Sequence, residues 1–456
     1  MTVARALAEF LAGTSSADLP PQAMQHAAMV IASTIASAAC GTKIQSVQII
    51  RHLARDQGGR PDSSLWFDAG PKLPVAEVAR ANAMLSDAAA SDDSDLRNIV
   101  HAGTPLTATS LAFAERIGAN GEDVLTAIVL GYEAAGRISE AITPGFRNRG
   151  FHGCLGAVFA AAVAASCLLR LSAAQMAQSV AIAATSIGGL ATAADTSVAR
   201  EYHAGLAAQL GVNAALAAQQ GYLAEERILE TRQGFFETFG GVDGATAGDS
   251  ATRGLGQSWD IITDLAIKLV PGGHPYHAFA EAAANAARRG KMAAPEVESI
   301  TVSRPGLTVL GGPRHPTDLI EMAHSLAYFA AAGAADHEFT WKHASAAKIG
   351  DPAIHMLIDK VQVGSPPIEN TVRYRQGATV AIRTYDGRIS TDTVYLPKGA
   401  GALGIAWSDI DGKFRTLLPE AGMHDDQIEA TLALIHDFGN LANVSVLTGS
   451  LRRRDV

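Results

Sequence analysis

Residues 153–169 read GCLGAVFAAAVAASCLL, from Gly153 to Leu169, without a single charge. The run approaches the length of a membrane span, but its composition points elsewhere. A span takes ~20 predominantly apolar residues, whereas this run is mostly Ala, Gly, Val and Ser between His152 and Arg170. A helix apolar on every side belongs at the centre of a packed protein. The rest of the chain agrees. Alanine dominates and only 6% of the residues are aromatic, against 48% hydrophobic overall, which favours closely packed helices with short side chains.

Outward from this run, residues 1 to about 265 carry one helical pattern after another. Val3–Leu11, Pro21–Ala39, Val75–Ala90, Thr107–Ile117, Glu122–Ile142, Ala174–Ile187, Tyr202–Gln220 and Arg227–Phe236 fit a helical period or a short buried run. Gly41, Gly118–Gly121, Pro144-Gly145 and Gly188-Gly189 mark breaks, and Ser172 is placed as an N-cap. Near Ile267 the character changes. Glu298–Ser303, Lys360–Val363, Thr371–Tyr374, Ala378–Thr384 and Ile389–Tyr395 alternate β-branched with polar residues, and Tyr385-Asp386-Gly387-Arg388 is a hairpin signal. Helical patterns at Pro275–Arg289 and Leu319–Ala335 lie between these strands, and Trp407–Leu451 is helical again. The expected fold is mainly α. It has a helical domain over 1–267, a smaller α+β domain over 268–400, and C-terminal helices over 401–456 that return to the helical domain. No repeat of fixed period is visible.

Composition also excludes function classes. The net charge is −9, and the longest basic run, Arg452–Arg454, is short, so a nucleic-acid surface is not expected. Three cysteines, Cys40, Cys154 and Cys167, do not make a disulfide framework and point to a reducing cytoplasm. MTVARALAEFLAGT carries Glu9 within its apolar pattern and reads as an amphipathic first helix, not a signal peptide. No membrane association is expected.

Four short segments gather polar chemistry in breaks between apolar helices. The first is Asp87–Gly103, DAAASDDSDLRNIVHAG, where Asp92, Asp93 and Asp95 precede Arg97 and His101. A carboxylate can orient an imidazole that moves a proton, although caps and solvated loops use the same residues. The second is Arg147–Gly153, RNRGFHG. Its arginines, including Arg149, can hold a carboxylate, and the amino end of the uncharged helix that follows favours an anion. Arg200–Gly205, REYHAG, holds His203. Lys268–His277, KLVPGGHPYH, holds His274 and His277 at the expected domain junction. A metal is not expected: the acidic segment has no HxH or HxxxH pairing with an acid, and His274 and His277, which could mimic a metal pair, have Pro275 between them, which starts a helix. Gly399–Gly404 is a literal GxGxxG without the strand and helix that give it meaning. A nucleotide cofactor is therefore not expected. Cys154 is a weak nucleophile, because an apolar helix raises a thiol's pKa.

Taken in order, these segments resemble the MmgE/PrpD family, whose members include dehydratases, a decarboxylase and an epimerase of small polycarboxylates. Ala79–Ser94 is similar to its A-x-x-N-x-x-x-x-H-x-x-D-F-D-D-T signature, and His101-Ala-Gly to the H-P-[SG] that follows. Gly131-Tyr132-Glu133, Gly150-Phe151-His152-Gly153, Arg200–Gly205 and Gly234-Phe235-Phe236 resemble G-Y-E, G-[FW]-H-G, K-x-x-H-x-G and G-F-F. Lys268–His274 resembles K-x-x-P…H; Asp386-Gly387-Arg388, Pro397-Lys398-Gly399 and Lys413-Phe414 match later signatures.

The resemblance covers nearly the whole chain. It implies a large helical domain with a smaller α+β lid, a homodimer, and chemistry without metal or organic cofactor. The implied reaction removes a proton α to a carboxylate of a small di- or tricarboxylate. His101 and His152 would be acid and base, Asp93 would orient a histidine, and Lys268 and Arg200 would clamp carboxylates. Ser94, Arg149, His203, His274 and His277 would contact substrate. The chain departs from the pattern at Asp87 for histidine, Ala90 for aspartate, Ser91 for phenylalanine and Arg200 for lysine. A lyase, either dehydratase or decarboxylase, is the first expectation. An epimerase of an iminodisuccinate-like dicarboxylate and a lapsed, substrate-binding relative are the alternatives.

Overall fold

The structure is a computed structural model and describes residues 1–453; Arg454, which ends the basic run, lies outside them. The described residues are mainly helical and form two compact units. The first takes Met1–Ala88, Asp92–Ile267 and the tail from Ile405; the second takes Ala89–Ser91 and Lys268–Gly404.

In the helical unit the uncharged run forms the helix Cys154–Leu168, in which every residue but Cys167 is buried. Helices Gly121–Ala141 and Ala199–Gln219 pack against it. The approach is close enough to demand glycine. A Cβ on Gly131 would lie 2.7 Å from the Ala160 carbonyl oxygen, and one on Gly211 would lie 2.8 Å from that of Val158. Pro21–Gly41 is long and apolar enough to cross a membrane, yet it is mostly buried within the unit, where His26 Nδ1 meets the Ile261 carbonyl at 2.8 Å. The C-terminal helix Trp407–Leu417 packs on it, and Lys413 Nζ donates to Ser33 Oγ at 2.7 Å.

Helix ends follow local chemistry. Ser172 caps Ala173–Ser186, its hydroxyl accepting from Gln175 N at 3.3 Å. Val75–Asp87 ends three residues short of the expected Ala90, which adopts the left-handed conformation at φ 53°. Of Arg227–Phe236, expected as a helix, residues 227–234 are a series of turns and bends, and a π-helix begins at Phe236 and runs to Gly240. Gln233 has φ 58°, and Phe235 N returns to the Ile228 carbonyl. Sequence patterning missed the helix Gln45–Gln57 and the short strands β1 (Asp93–Asp95) and β2 (Leu265–Ile267). These strands pair antiparallel, with Asp93 opposite Ile267 and Asp95 opposite Leu265.

The second unit holds a four-stranded sheet of β3 (Val297–Ser303), β4 (Val361–Val363), β5 (Ala378–Thr384) and β6 (Ile389–Val394), in the order β4-β3-β5-β6. β3 and β4 run parallel; the other neighbours are antiparallel. Inward residues Ile300, Val302, Val380 and Ile382 join Phe279 and Phe329 from helices His274–Gly290 and Leu326–Asp336 in one core. Two expectations are corrected here. Thr371–Tyr374 is not a strand, because Asn370 at φ 55° opens a 3-10 turn over Thr371–Arg373. Leu319–Ala335 is two helices, because Ser325 caps a new start by accepting from Tyr328 N.

Candidate active site

Within the helical unit, β1 carries the acidic segment past the start of helix Gly103–Ile117. His101 stands just before that helix. Its Nδ1 is 2.9 Å from Asp92 Oδ2, 2.6 Å from the Asp93 carbonyl oxygen and 3.3 Å from Ser94 Oγ. With a carboxylate and a carbonyl facing it, Nδ1 carries the proton, which leaves Nε2 as the nitrogen that can exchange one with substrate. The carboxylate on this imidazole is therefore that of Asp92, which sequence reasoning passed over. Asp93 meets the ring through its backbone carbonyl. Its own carboxylate accepts from Gly103 N and from Tyr132 Oη, each at 3.2 Å, and so anchors a helix amino end. Burial, and then the charge of Asp93, raises the Tyr132 pKa well above the ordinary phenol value, so its hydroxyl stays a donor.

The second cluster forms where residues 150–152 run beside 189–191. His152 N donates to the Gly189 carbonyl at 3.1 Å and Ala191 N to that of Gly150 at 2.9 Å, and Phe151 bridges to Leu190. This pairing holds His152 at the head of the apolar helix. Its Nδ1 lies 3.3 Å from Nδ1 of His203, with the rings 5.1 Å apart and tilted by 41°. Burial lowers the His152 pKa well below the ordinary imidazole value, and His101, His203, Arg147 and Arg200 add to the effect. Burial lowers that of His203 as well, against the pull of Asp87. Both rings are thus kept neutral. Cys154 is buried beside them, and desolvation pushes its thiol up to about 12, which removes it as a nucleophile at neutral pH.

Arg200 is committed elsewhere. Its guanidinium donates to the Asp87 carbonyl at 2.6 Å and to that of Ala88 at 3.2 Å, and its Nε lies 3.4 Å from the Asp87 carboxylate. Burial opposes this charge, but Asp87, Asp92 and Glu201 outweigh it and hold the pKa above the usual arginine value. Arg149 is exposed and donates to the Thr238 carbonyl at 3.4 Å, outside both histidine clusters. In the second unit, Lys268 is buried. His274 and His277 open the helix His274–Gly290, with rings 4.7 Å apart; His277 Nε2 meets the Gly272 carbonyl at 3.3 Å and its ring stacks on Phe329.

Compared with known families, residues 5–246 match the MmgE/PrpD N-terminal domain and residues 271–436 its C-terminal domain. The chain belongs to the MmgE/PrpD family. Among its relatives, the human protein named cis-aconitate decarboxylase is 24% identical over 99% of this chain and 95% of its own length. The mouse protein of that name is 24% identical over 90% of this chain and 86% of its own. One from Aspergillus terreus is 28% identical over 55% and 53%. Several signatures of this MmgE/PrpD chain have structural work in the helical unit. Asn82 accepts from Trp66 N at 3.1 Å. In Gly131-Tyr132-Glu133, the glycine admits a neighbouring helix, the tyrosine reaches Asp93, and Glu133 accepts from Asp260 N at 2.8 Å. Phe235 and Phe236 are buried, with Phe235 edge-on to Phe159. Two departures from the family pattern also meet: Asp87 and Arg200 form an ion pair.

Proposed function

We propose that this chain is a cofactor-independent lyase that decarboxylates cis-aconitate through a carbanion protonated α to a carboxylate. Its full-length similarity to proteins named cis-aconitate decarboxylase supports the substrate. The observation that carries the mechanism is His101, whose Nδ1 is fixed by Asp92 and by the Asp93 carbonyl. An imidazole backed by a carboxylate is built to hold and release a proton at its other nitrogen.

The bond between the CH2 carbon of cis-aconitate and its carboxylate breaks, and its electron pair becomes a new carbon–carbon double bond. The pair of the former double bond moves to the carbon α to the other terminal carboxylate. His101 protonates that carbon from Nε2 and is reprotonated from water, and carbon dioxide departs. His152, neutral and at the amino end of the helix Cys154–Leu168, donates its ring N–H to a substrate carboxylate, which that helix end favours. Ser94 serves as a hydrogen-bond donor beside His101.

The test is turnover of cis-aconitate in heavy water, followed by carbon dioxide release and proton NMR. One carbon dioxide and one deuterium per product are expected, with the deuterium α to a carboxylate. His101→Ala should lower kcat by ~10²–10⁴, the usual worth of a positioned acid or base, and His152→Ala should raise KM, each with unchanged circular dichroism. If cis-aconitate is left intact while another polycarboxylate exchanges its α-proton without losing carbon dioxide, the lyase assignment gives way to an epimerase.

A further inference from the structure

Around His152 stands a set of metal-type donors, of which His203 and Cys154 take no part in the proposed reaction. One nitrogen from each of His152 and His203 and the sulfur of Cys154 all lie within 4.8 Å of one another. The two Nδ1 atoms are 3.3 Å apart. Two nitrogens bound to one tetrahedral zinc at 2.0–2.1 Å stand about 3.4 Å apart, so the imidazoles already have that bite. The sulfur is held near them by its bond to the Gly188 carbonyl at 3.3 Å.

The backbone is shaped around this set. Gly189 has φ 156°, and a Cβ there would lie 2.5 Å from the Cys154 sulfur and 3.3 Å from the His203 ring. Glycine is what lets the 188–190 segment close over the three donors. Leu190 of that segment is 61% exposed, while Cys154 beneath it is 3% exposed. Two imidazoles and a thiol are borderline-to-soft ligands, which select zinc-like ions over magnesium or calcium.

We propose that His152, His203 and Cys154 form a site for a zinc-like divalent cation, with the fourth position open, and that occupancy switches the enzyme off. On binding, the Cys154 S–H proton passes to solvent as the sulfur–metal bond forms. The metal takes the Nδ1 lone pairs of both histidines and sets a dication beside the proton-transfer groups. The switching part rests on the decarboxylase reading; the binding part does not.

Cobalt(II) is the probe, titrated into the full chain with the cysteines reduced. One equivalent should produce the near-ultraviolet thiolate-to-cobalt absorption, and Cys154→Ser should lose it with thermal stability retained. Cys154→Ala gives a second reading of the same point. Zinc should inhibit cis-aconitate turnover. Cys154→Ser should keep the basal rate and need roughly tenfold more zinc or beyond, since even outer-shell changes weaken metal sites 10–100-fold. Absence of the thiolate band in the wild type, or its persistence in both Cys154 variants, overturns the site. Equal zinc inhibition of wild type and Cys154→Ser overturns the switch. A band that depends on Cys154 in a protein inert toward cis-aconitate upholds the site and removes the decarboxylase reading instead.

Discussion

At the scale of single residues, the division of work within one acidic run matters most. Asp92, Asp93 and Asp95 are all buried, yet their carboxylates face different partners. Asp92 meets His101, Asp93 meets Gly103 N and Tyr132, and Asp95 accepts from Arg97 N at 2.8 Å. In the proposed mechanism Asp92 positions His101, so Asp92→Asn should lower kcat toward, but not beyond, the ~10²–10⁴ that a full acid or base is worth. KM should hold, because the contact is to His101 and not to substrate. Steady-state kinetics read the split; a rise in KM with kcat unchanged would place Asp92 in binding instead. The sequence made the run stand out, but spacing alone could not say which acid faces the imidazole. That choice depends on where β1 begins, and a three-residue strand leaves too little alternation to read. The Asp87–Arg200 pair is similar: each departure is visible in the sequence, and only the fold shows that they touch.

At the scale of elements, glycine has opposite meanings in two helices. Gly131 sits where Gly121–Ala141 meets its neighbours, and an added Cβ would lie 2.5 Å from Leu106 and 2.7 Å from the Ala160 carbonyl oxygen. Overpacking of this kind costs about 1–3 kcal/mol. The better helix propensity of alanine returns only about 1 kcal/mol, and a backbone oxygen cannot step aside. Gly131→Ala should therefore lower the melting temperature. Gly412, in the helix Trp407–Leu417, has nothing within 4 Å of its Cβ position. Gly412→Ala should raise stability by up to about 1 kcal/mol. Thermal denaturation of the two variants checks both signs. Most long helices were legible because their apolar period is strong and their caps are conventional, as at Ser172. Thr371–Tyr374 misled because its alternation was real while Asn370 had already turned the chain. Leu319–Ala335 misled because a buried capping serine looks apolar enough to continue a helix.

At the scale of the molecule, the helical unit buries an acidic network on which pH acts. Arg97 bridges Glu140, Asp260 and Asp264, and Glu133 pairs with Arg137. Burial, followed by the charge of Asp264, raises the Asp95 pKa to about 6 against the pull of Arg97. Below the unfolded value of 3.8 the group is protonated in both states and carries no penalty. Between 3.8 and about 6 the folded chain keeps a proton that the unfolded chain gives up, so this stability is lost as pH rises. Asp95→Asn should melt a few degrees higher than wild type at pH 7, and the gap should close toward pH 4. Scanning calorimetry at both pH values checks it; a gap that widens on acidification would reverse the sign. The change from helical period to strand alternation near Ile267 was open to inspection in the sequence. That Ala89–Ser91 group with the later unit was not, because no local signal marks three residues packed against distant chain. The path of the chain has a further consequence for synthesis. β1 is completed by Leu265–Ile267, and Pro21–Gly41 is covered by a helix that begins at Trp407. The second unit emerges from the ribosome between these events. At roughly 5–20 residues per second its translation alone takes on the order of ten seconds, so the helical unit, first to be made, is the last to close.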